Sequence, residues 1–333
     1  MLEILIIICK INPFKELFLK IGKFEYNKPL ILAPMAGATD IPFRNLAYEL
    51  GADFAVTEMI MANSLIYKNP KGFQLMERGK YDNPFIVQIA ASDTETFLKA
   101  LPHVKDVGAD ILDLNMGCPA RKIVKKGAGS ALLREPDKVY DIVKAVKDNI
   151  DIPLTVKIRL GWNNEELTYK EVIKNIQNAG ADAFTVHRRT TSQAYKGFFD
   201  EDIFKEIADM ATIPFICNGE INTKEDIARV FKLGCDGIMI GRSAVKHPWI
   251  FSKDINEPTI KEVYDIMKRH FKLIIEYYGE KTGIYKMKKF YGSYIKDIKG
   301  AKELKFNLMR INDYNKAMSM IDNFFDDYWS AYE

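Results

Sequence analysis

The runs Pro84-Phe85-Ile86-Val87-Gln88 and Gly108-Ala109-Asp110-Ile111-Leu112, separated by a helical stretch, decide the fold of this chain. Both are short and apolar, and each is entered by a residue that interrupts a helix. Proline is tolerated at the first residue of a strand, and glycine suits the left-handed residue just past a helix. The two runs therefore predict a strand, a helix and a second strand.

This unit occurs four times between Lys28 and Arg242. The proline-led runs start at Pro29, Pro84, Pro153 and Pro214, and the Gly-x-Asp runs start at Gly51, Gly108, Gly180 and Gly234. Amphipathic helical patterns lie between strands, for example at Asp137–Val146, Tyr169–Gln177 and Lys224–Phe231. Apolar strands that alternate with helices form parallel sheets. Eight such strands predict a (β/α)8 TIM barrel over residues 19–252, with a doubly wound sheet as the alternative.

The composition changes after His247-Pro248-Trp249, where strand patterns end. Four helical patterns follow, at Ile260–Tyr278, Gly283–Ile298, Ala301–Ile311 and Tyr314–Tyr328. They predict a small all-α bundle as a second domain, residues 253–333. Residues 1–18 are expected to form a peripheral N-terminal extension, because the apolar run Ile4–Ile8 is too short to span a bilayer and Glu3 does not suit a signal peptide.

Composition allows a soluble globular protein of about two domains: 333 residues, 47% of them hydrophobic and 28% charged. A net charge of +3 does not by itself indicate nucleic-acid binding. The cysteines are Cys9, Cys118, Cys217 and Cys235. Because no Cys-x-x-Cys pair is present, we expect neither a metal site nor disulfides, and we expect a cytoplasmic location.

One motif points to a reaction. The pattern Asn115-x-Gly117-Cys118-Pro119-x-x-Lys122, followed by Gly127-x-Gly129-x-x-Leu132-Leu133, resembles the signature of the tRNA-dihydrouridine synthases. This resemblance implies an enzyme that reduces specific uridines in tRNA to 5,6-dihydrouridine with FMN as cofactor. It also implies NADPH as reductant, a helical tRNA-binding domain after the barrel, and no membrane partner. We expect a monomer without an obligate protein partner.

Candidate site residues follow the apolar runs, because such barrels carry their active sites at the C-terminal ends of the strands. Loops after the last two strands commonly bind phosphate, and there Gly219 and Gly241 allow close backbone approach while Arg242 offers a charged fork. Lys157 points inward from a strand, which is costly without an anion nearby. A simpler account of Lys157 is an ion pair with a neighbouring carboxylate.

The resemblance implies a role for each position. Pro34, Met35 and Ala36 would lie against the flavin ring, Gln88 at its polar edge, Lys157 near its N1/C2=O edge and His187 beside it. The phosphate would bind at Asn218, Gly219, Glu220, Gly241 and Arg242. A histidine such as His187 is also a common structural hydrogen-bonding residue. The family usually has a small residue, an arginine and an aspartate where this chain has Arg188, Thr191 and Glu220.

Cys118 and Asn115 are the predicted catalytic residues. Reduction of the uracil C5=C6 bond requires a hydride at C6, which reduced FMN can give, and a proton at C5. An ordinary thiol, with a pKa of about 8.5, is mostly protonated at neutral pH and can donate that proton. Cys118 is therefore the expected general acid, and Asn115 the amide that holds base and flavin. A nucleophilic thiolate activated by Lys122 is the alternative.

A basic stretch in the second domain is expected to contact RNA. Its cations are Lys281, Lys286, Lys288, Lys289, Lys296, Lys299, Lys302, Lys305 and Arg310, and Tyr285, Tyr291 and Tyr294 are interleaved as stacking groups. A solvated lysine face is the simpler interpretation. Two other functions remain open: a flavin barrel that reduces a free pyrimidine would not need this stretch, and a non-catalytic RNA-binding protein would not need Asn115, Cys118 and Lys157 together.

Overall fold

A computed structural model describes residues 18–194, 200–296 and 298–332, and most of its strands belong to one parallel sheet. In chain order the strands are β1 (Phe18–Ile21), β2 (Phe24–Asn27), β3 (Leu30–Leu32), β4 (Phe54–Ala55), β5 (Ile60–Met61), β6 (Ile86–Ala90), β7 (Ile111–Asn115), β8 (Leu154–Arg159), β9 (Ala183–His187), β10 (Phe215–Asn218) and β11 (Gly237–Ile240).

The sheet closes into a barrel. Its order is β4-β3-β11-β10-β9-β8-β7-β6, with β5 as a short addition beside the end of β6. A parallel bridge between Val56 and Ile86 joins the two ends of this series. Apart from the short β5, strands that are consecutive in the sequence are therefore neighbours around the barrel, and the last strand pairs with the first. This order confirms the predicted TIM barrel and excludes the doubly wound sheet.

Helices surround the strands. In the first part of the chain they are α1 (Ile41–Glu49), α2 (Ala62–Ile66), α3 (Pro70–Leu75), α4 (Thr94–Asp106), α5 (Arg121–Val124), α6 (Pro136–Asp148), α7 (Tyr169–Asn178), α8 (Asp202–Met210), α9 (Lys224–Phe231) and α10 (Arg242–Lys246), with 3-10 helices at Gly129–Arg134 and Pro248–Phe251. The second part contains α11 (Ile260–Tyr278), α12 (Glu280–Tyr294), α13 (Ala301–Leu308) and α14 (Tyr314–Tyr332). No helix of the described residues is long and apolar enough to cross a membrane.

The aspartate of each Gly-x-Asp run fastens its strand to the preceding proline-led strand. Its carboxylate accepts a hydrogen bond from the backbone N–H of the residue after the proline, and the pairs are Leu30 to Asp53 (2.7 Å), Phe85 to Asp110 (2.9 Å), Leu154 to Asp182 (2.7 Å) and Phe215 to Asp236 (2.9 Å). The aspartate N–H donates in return to the carbonyl of the same residue, at 2.8 or 2.9 Å. These pairs lie where the strands begin, at the end of the barrel away from the predicted site.

The hairpin of β1 and β2 closes that same end. Leu19 and Ile21 are buried against the inward-facing side chains Ile31, Ile86 and Ile216. Phe18, assigned from the sequence to the N-terminal extension, is the first residue of β1, and residues 1–17 lie outside the described part of the chain. The end of the barrel away from the site is thus closed by apolar side chains.

The second part of the chain packs on the barrel through α1. Phe43 of α1 stacks on Phe290 of α12, with ring centroids 5.7 Å apart, and His270 of α11 lies 4.5 Å from the same ring. Helix α12 starts at Glu280 rather than Gly283, because Gly279, with φ of +73°, ends α11 and the next helix begins at once. The division at residues 252 and 253 stays a prediction; the last 3-10 helix ends at Phe251 and α11 begins at Ile260.

The Asp236→Ala substitution tests the aspartate pairing. The N–H of Phe215 would lose its partner in a fully buried setting, so we expect the free energy of unfolding to fall by about 1–3 kcal/mol. Urea denaturation measures this change. Asp148→Ala, which removes an exposed partner of Lys144, is the control and should change stability by less than about 0.5 kcal/mol. Equal losses in both variants would contradict the structural role of the repeat.

Candidate active site

A cavity of about 490 Å³ opens at the C-terminal ends of the strands. The residues that line it include the predicted Pro34, Met35, Ala36, Asn115, Cys118, Lys157, His187, Asn218, Gly219, Glu220, Gly241 and Arg242. Residues that follow six different strands are thus brought together in one space. Gln88 is the one predicted site residue that does not line this cavity.

Gln88 lies behind Asn115 in a buried chain of hydrogen bonds. Its Nε2 donates to Asp113 Oδ2 at 2.6 Å, and its Oε1 accepts from Asn115 Nδ2 at 2.9 Å. Thr155 Oγ1 donates to the other Asp113 oxygen at 2.6 Å. Burial raises the pKa of Asp113. Asp113, which is not among the predicted site residues, fixes the orientation of Gln88 and, through it, of Asn115.

Asn115 holds the turn that carries the thiol. Its Oδ1 accepts from the backbone N–H groups of Gly117 (3.2 Å) and Cys118 (2.9 Å). The carbonyl of Cys118 accepts from both the N–H (3.1 Å) and the Oγ (3.0 Å) of Ser130. Both backbone polar groups of Cys118 are therefore fixed, and its partly exposed side chain faces the cavity.

Arg159 supports the same turn from the next strand. Its Nε donates to the carbonyl of Gly117 at 2.8 Å, and its Nη1 donates to the carbonyls of Thr190 and Ala194, both at 2.9 Å. Arg159 thereby joins the loop after β7 to the loop after β9. It follows Lys157 by two residues on β8, so the alternation of a strand places both side chains on the same side of the sheet. The two-residue spacing from Lys157 is the sequence signal that identifies Arg159 as a candidate site residue.

Lys157 is buried without a carboxylate partner among the described residues. Its Nζ donates to Asn218 Oδ1 at 2.7 Å, and Asn218 Nδ2 donates to the carbonyl of Met239 at 2.7 Å. Burial, together with the charge of Arg159, lowers the pKa of Lys157 to about 7. An anion that entered the cavity would favour the ammonium form. This geometry favours the ligand-binding account of Lys157 over the ion pair.

His187 is a neutral hydrogen-bonding group. Its Nδ1 accepts from the N–H of Arg189 at 3.2 Å, so the proton of a neutral ring lies on Nε2. Burial and the positive charges of Arg159 and Lys157 hold the pKa of His187 well below its ordinary value. At neutral pH the ring can therefore donate a hydrogen bond into the cavity but carries no charge.

The loop after β10 has an unusual backbone. Gly219 has φ of +117°, and a Cβ on it would lie 2.7 Å from Arg188 Cγ, so glycine is needed there. Glu220 has φ of +51°, which non-glycine residues rarely adopt. Its carboxylate pairs with Arg189 and, at 3.4 Å, with Arg188 Nη2. Two departures from the family pattern, Arg188 and Glu220, are thus partners of one another.

The loop after β11 approaches the first strand closely. A Cβ on Gly241 would lie 3.1 Å from the sulfur of Met35, which is tighter than most side-chain contacts. Arg242 follows directly, and Lys246 lines the same side of the cavity. The position of Met35 therefore depends on glycine at position 241.

The donor set fits FMN. Ala33, Pro34, Met35 and Met239 supply an apolar wall for a planar ring, and Lys157 supplies a donor for its polar edge. Arg242 and Lys246 supply positive charge for a phosphate. The volume of about 490 Å³ lies in the usual range for small-molecule sites, about 300–1,000 Å³.

The exposure of the aromatic side chains in the basic stretch differs from the prediction. Tyr291 and Tyr294 are buried, at 0% and 3% exposure, so their prediction as stacking groups is wrong: both lie on the face of α12 that packs inward. Tyr285 is 77% exposed and Phe306 is 54% exposed, with the Arg310 guanidinium 3.4 Å from the centre of the Phe306 ring. The exposed aromatic groups of this region are therefore Tyr285 and Phe306.

A second cavity lies between the barrel and the helices α11 and α12. Its volume is about 1070 Å³, and its lining includes Tyr285 and four lysines: Lys71, Lys286, Lys288 and Lys289. Lys288 donates to Asn312 Oδ1 at 3.1 Å, and burial lowers the pKa of Lys289. Three of the predicted cations, Lys286, Lys288 and Lys289, thus border a cleft between the barrel and the second domain.

Comparisons with known proteins indicate the family of this chain. The family model described as dihydrouridine synthase (Dus) matches residues 31–328. Among curated proteins, the tRNA-dihydrouridine synthase B of Vibrio vulnificus is 37% identical over 319 residues, covering 93% of this chain and 99% of that protein. The Pseudomonas syringae protein of the same name is 35% identical over 316 residues, covering 92% and 94%.

A solved structure supports the fold. The old yellow enzyme from Trypanosoma cruzi superposes with a TM-score of 0.51 at 11% identity, covering 70% of this chain and 90% of that one. The barrel, the Asn115–Cys118 turn and the family match over nearly the whole chain lead to one conclusion. The chain belongs to the dihydrouridine synthase family.

Proposed function

We propose that this protein reduces specific uridines in tRNA to 5,6-dihydrouridine, using FMN and taking reducing equivalents from NADPH. Family membership supports the reaction class, a flavin-dependent oxidoreductase. The observation that carries the proposal is the shared cavity: the Cys118 thiol, the Lys157 amine and the loops after β10 and β11 line one space.

FMN, when bound, supplies a hydride to C6 of the uracil ring. Pro34, Met35 and Ala36 would lie against its ring. Lys157 and His187 would donate hydrogen bonds to the ring oxygens and nitrogens, which is how a protein tunes such a cofactor. The backbone after β10 and β11, at Asn218, Gly219, Glu220 and Gly241, and the side chain of Arg242 would hold the phosphate.

Cys118 would donate the proton to C5. Its backbone is fixed by Asn115 and Ser130, so the thiol has a defined position at the cavity wall. General acid catalysis needs such a positioned donor within hydrogen-bond reach. Asn115 contributes as the residue that orients this turn and lines the cavity. Gln88 would act through Asn115, and a direct contact of Gln88 with the flavin stays a prediction.

The charged cleft between the barrel and the second domain is suited to hold the tRNA substrate near the cavity. A uridine in folded RNA must be turned out of its stack to reach a cavity at a barrel mouth. Lysines and the exposed Tyr285 at the inter-domain cleft offer contacts for phosphates and for a base. We place the boundary of the RNA-binding domain at residues 252 and 253, and the reaction in the cytoplasm with a monomer as the acting unit.

Removal of the thiol tests the proton donor. Cys118→Ala should keep bound FMN and its reduction by NADPH, but should slow tRNA-dependent flavin oxidation by about 10²–10⁴-fold, the usual contribution of a general acid. Stopped-flow absorbance measures both half-reactions. Cys235→Ala, which removes a buried thiol at the start of β11, is the control and should oxidise flavin at the wild-type rate. Unchanged turnover in Cys118→Ala would remove Cys118 from the mechanism.

The same measurement separates the alternative functions. Free uracil in place of tRNA should leave the reduced flavin unoxidised. Oxidation by free uracil at the tRNA rate would instead indicate a free-pyrimidine reductase, and a colourless protein that binds tRNA would indicate a non-catalytic binding protein.

The lowered pKa of Lys157 predicts a pH dependence of FMN binding. In the apoprotein the amine titrates near pH 7, and a bound phosphate and ring acceptors favour its charged form. Between pH 7 and 9, binding should therefore take up as much as about one proton, and affinity should fall as the pH rises. Titration calorimetry in two buffers of different ionisation enthalpy measures the uptake.

Lys157→Met should abolish that proton uptake, because no amine remains in the cavity at this position. Lys144→Met, on the outer helix α6, should keep the wild-type value. Equal uptake by all three proteins would show that Lys157 is not the titrating group.

A further inference from the structure

The segment from Pro34 to Arg44 connects the two cavities. It leaves β3, lines the barrel cavity with Pro34, Met35 and Ala36, and then borders the inter-domain cavity with Gly37 and Asp40. It is held as one unit, because the carbonyl of Met35 accepts from the N–H groups of Ala38 (2.9 Å) and Thr39 (3.1 Å) and the N–H of Met35 donates to Thr39 Oγ1 (2.8 Å). A displacement of Asp40 would therefore reach Met35.

Asp40 joins this segment to both helices of the second domain that face it. It is 6% exposed. Its Oδ1 accepts from the N–H of Phe43 at 3.3 Å and caps α1, and its Oδ2 accepts from Tyr278 Oη at 2.9 Å and from Lys286 Nζ at 3.0 Å. Tyr278 is the last residue of α11, and Lys286 lies on α12 with its ammonium 4.0 Å from the Tyr278 ring.

We infer that Asp40 is a positioning residue that sets the orientation of the second domain relative to the wall of the barrel cavity. This inference rests on the proposed function, because its effect on catalysis requires that the second domain hold the RNA. RNA bound to the second domain would be positioned against the barrel cavity through Asp40 and the hydrogen-bonded segment from Met35 to Thr39. A misplacement of about 1 Å at a reacting group can cost a hundredfold in rate.

A second inter-domain link provides the comparison. Arg269 of α11 donates to both carboxylate oxygens of Glu49, at 2.8 and 2.6 Å, at the far end of α1. Glu49 joins the same two parts of the molecule but lines neither cavity. Loss of the Glu49 link loosens the domain contact without touching the Met35 segment.

The first experiment uses hydrogen exchange of the FMN-loaded protein without RNA. Asp40→Asn keeps an oxygen for the α1 cap, since asparagine caps helices as well as aspartate, but it presents an amide to Tyr278 and Lys286. We expect faster exchange at Ala38 and Thr39 and near Tyr278. Glu49→Gln should leave Ala38 and Thr39 at the wild-type rate. Unchanged exchange at Ala38 and Thr39 in Asp40→Asn would overturn the inference, whether or not the protein acts on tRNA.

The second experiment separates KM from kcat in tRNA-dependent oxidation of reduced flavin. In Asp40→Asn we expect kcat to fall about tenfold, within the range of typical coupling between sites, with NADPH-dependent flavin reduction unchanged. In Glu49→Gln we expect kcat to stay at the wild-type value. Tyr278→Phe removes only the hydroxyl that Asp40 accepts and should lower kcat in the same direction, which covers the case in which Asp40→Asn does not fold.

A change confined to KM, of equal size in Asp40→Asn and Glu49→Gln, would show that Asp40 only fastens the domains together and would overturn the inference. Failure of the wild-type protein to oxidise its flavin with tRNA would contradict the proposed function instead, and hydrogen exchange would then decide the coupling by itself.

Discussion

The carboxyl group of Asp113, buried inside the barrel, is the constraint on which the site depends. A buried carboxyl must have its oxygens satisfied by donors, and here Thr155 and Gln88 supply them. With the Nε2 of Gln88 committed to Asp113, its Oε1 is left to accept from Asn115, and the Oδ1 of Asn115 is left to accept from the Cys118 turn. Each hydrogen bond fixes the polarity of the next, so the position of the thiol depends on a carboxyl group three hydrogen bonds away.

Burial and positive charge together determine the protonation of the groups on the opposite wall of the barrel cavity. Lys157 lies in a setting that disfavours its own proton, and His187 is kept neutral by the same burial and the same positive neighbours. Such an arrangement costs stability in a protein without ligand and is expected where an anion belongs. The loop after β10 shows a similar cost: Glu220 adopts a rare backbone conformation, and the ion pairs with Arg188 and Arg189 hold it there.

Much of this could be predicted from the sequence, because the repeat of proline-led and Gly-x-Asp runs reports local backbone requirements that are the same in each quarter of the barrel. The reason for the aspartates could not be seen, since their partners are N–H groups on another strand. The prediction for the tyrosines of α12 fails for a related reason: Tyr291 and Tyr294 face inward and Tyr285 faces water, and sequence alone does not say which side of the helix is packed. Gln88 and Asp113 lie side by side on β6 and β7, a relation that only the strand register reveals.

The hairpin of β1 and β2, which closes the lower end of the barrel, limits the side from which ligands can enter the cavity. Within the described part of the chain, Leu19 and Ile21 fill that end with apolar side chains, and the cavity lies at the opposite end, where the strands end. If the proposed flavin is bound in this cavity, NADPH and tRNA would both have to reach it from the same end of the barrel, and they would bind one after the other. Such alternating binding of the two ligands would follow from the shape of the barrel, without a dedicated gate.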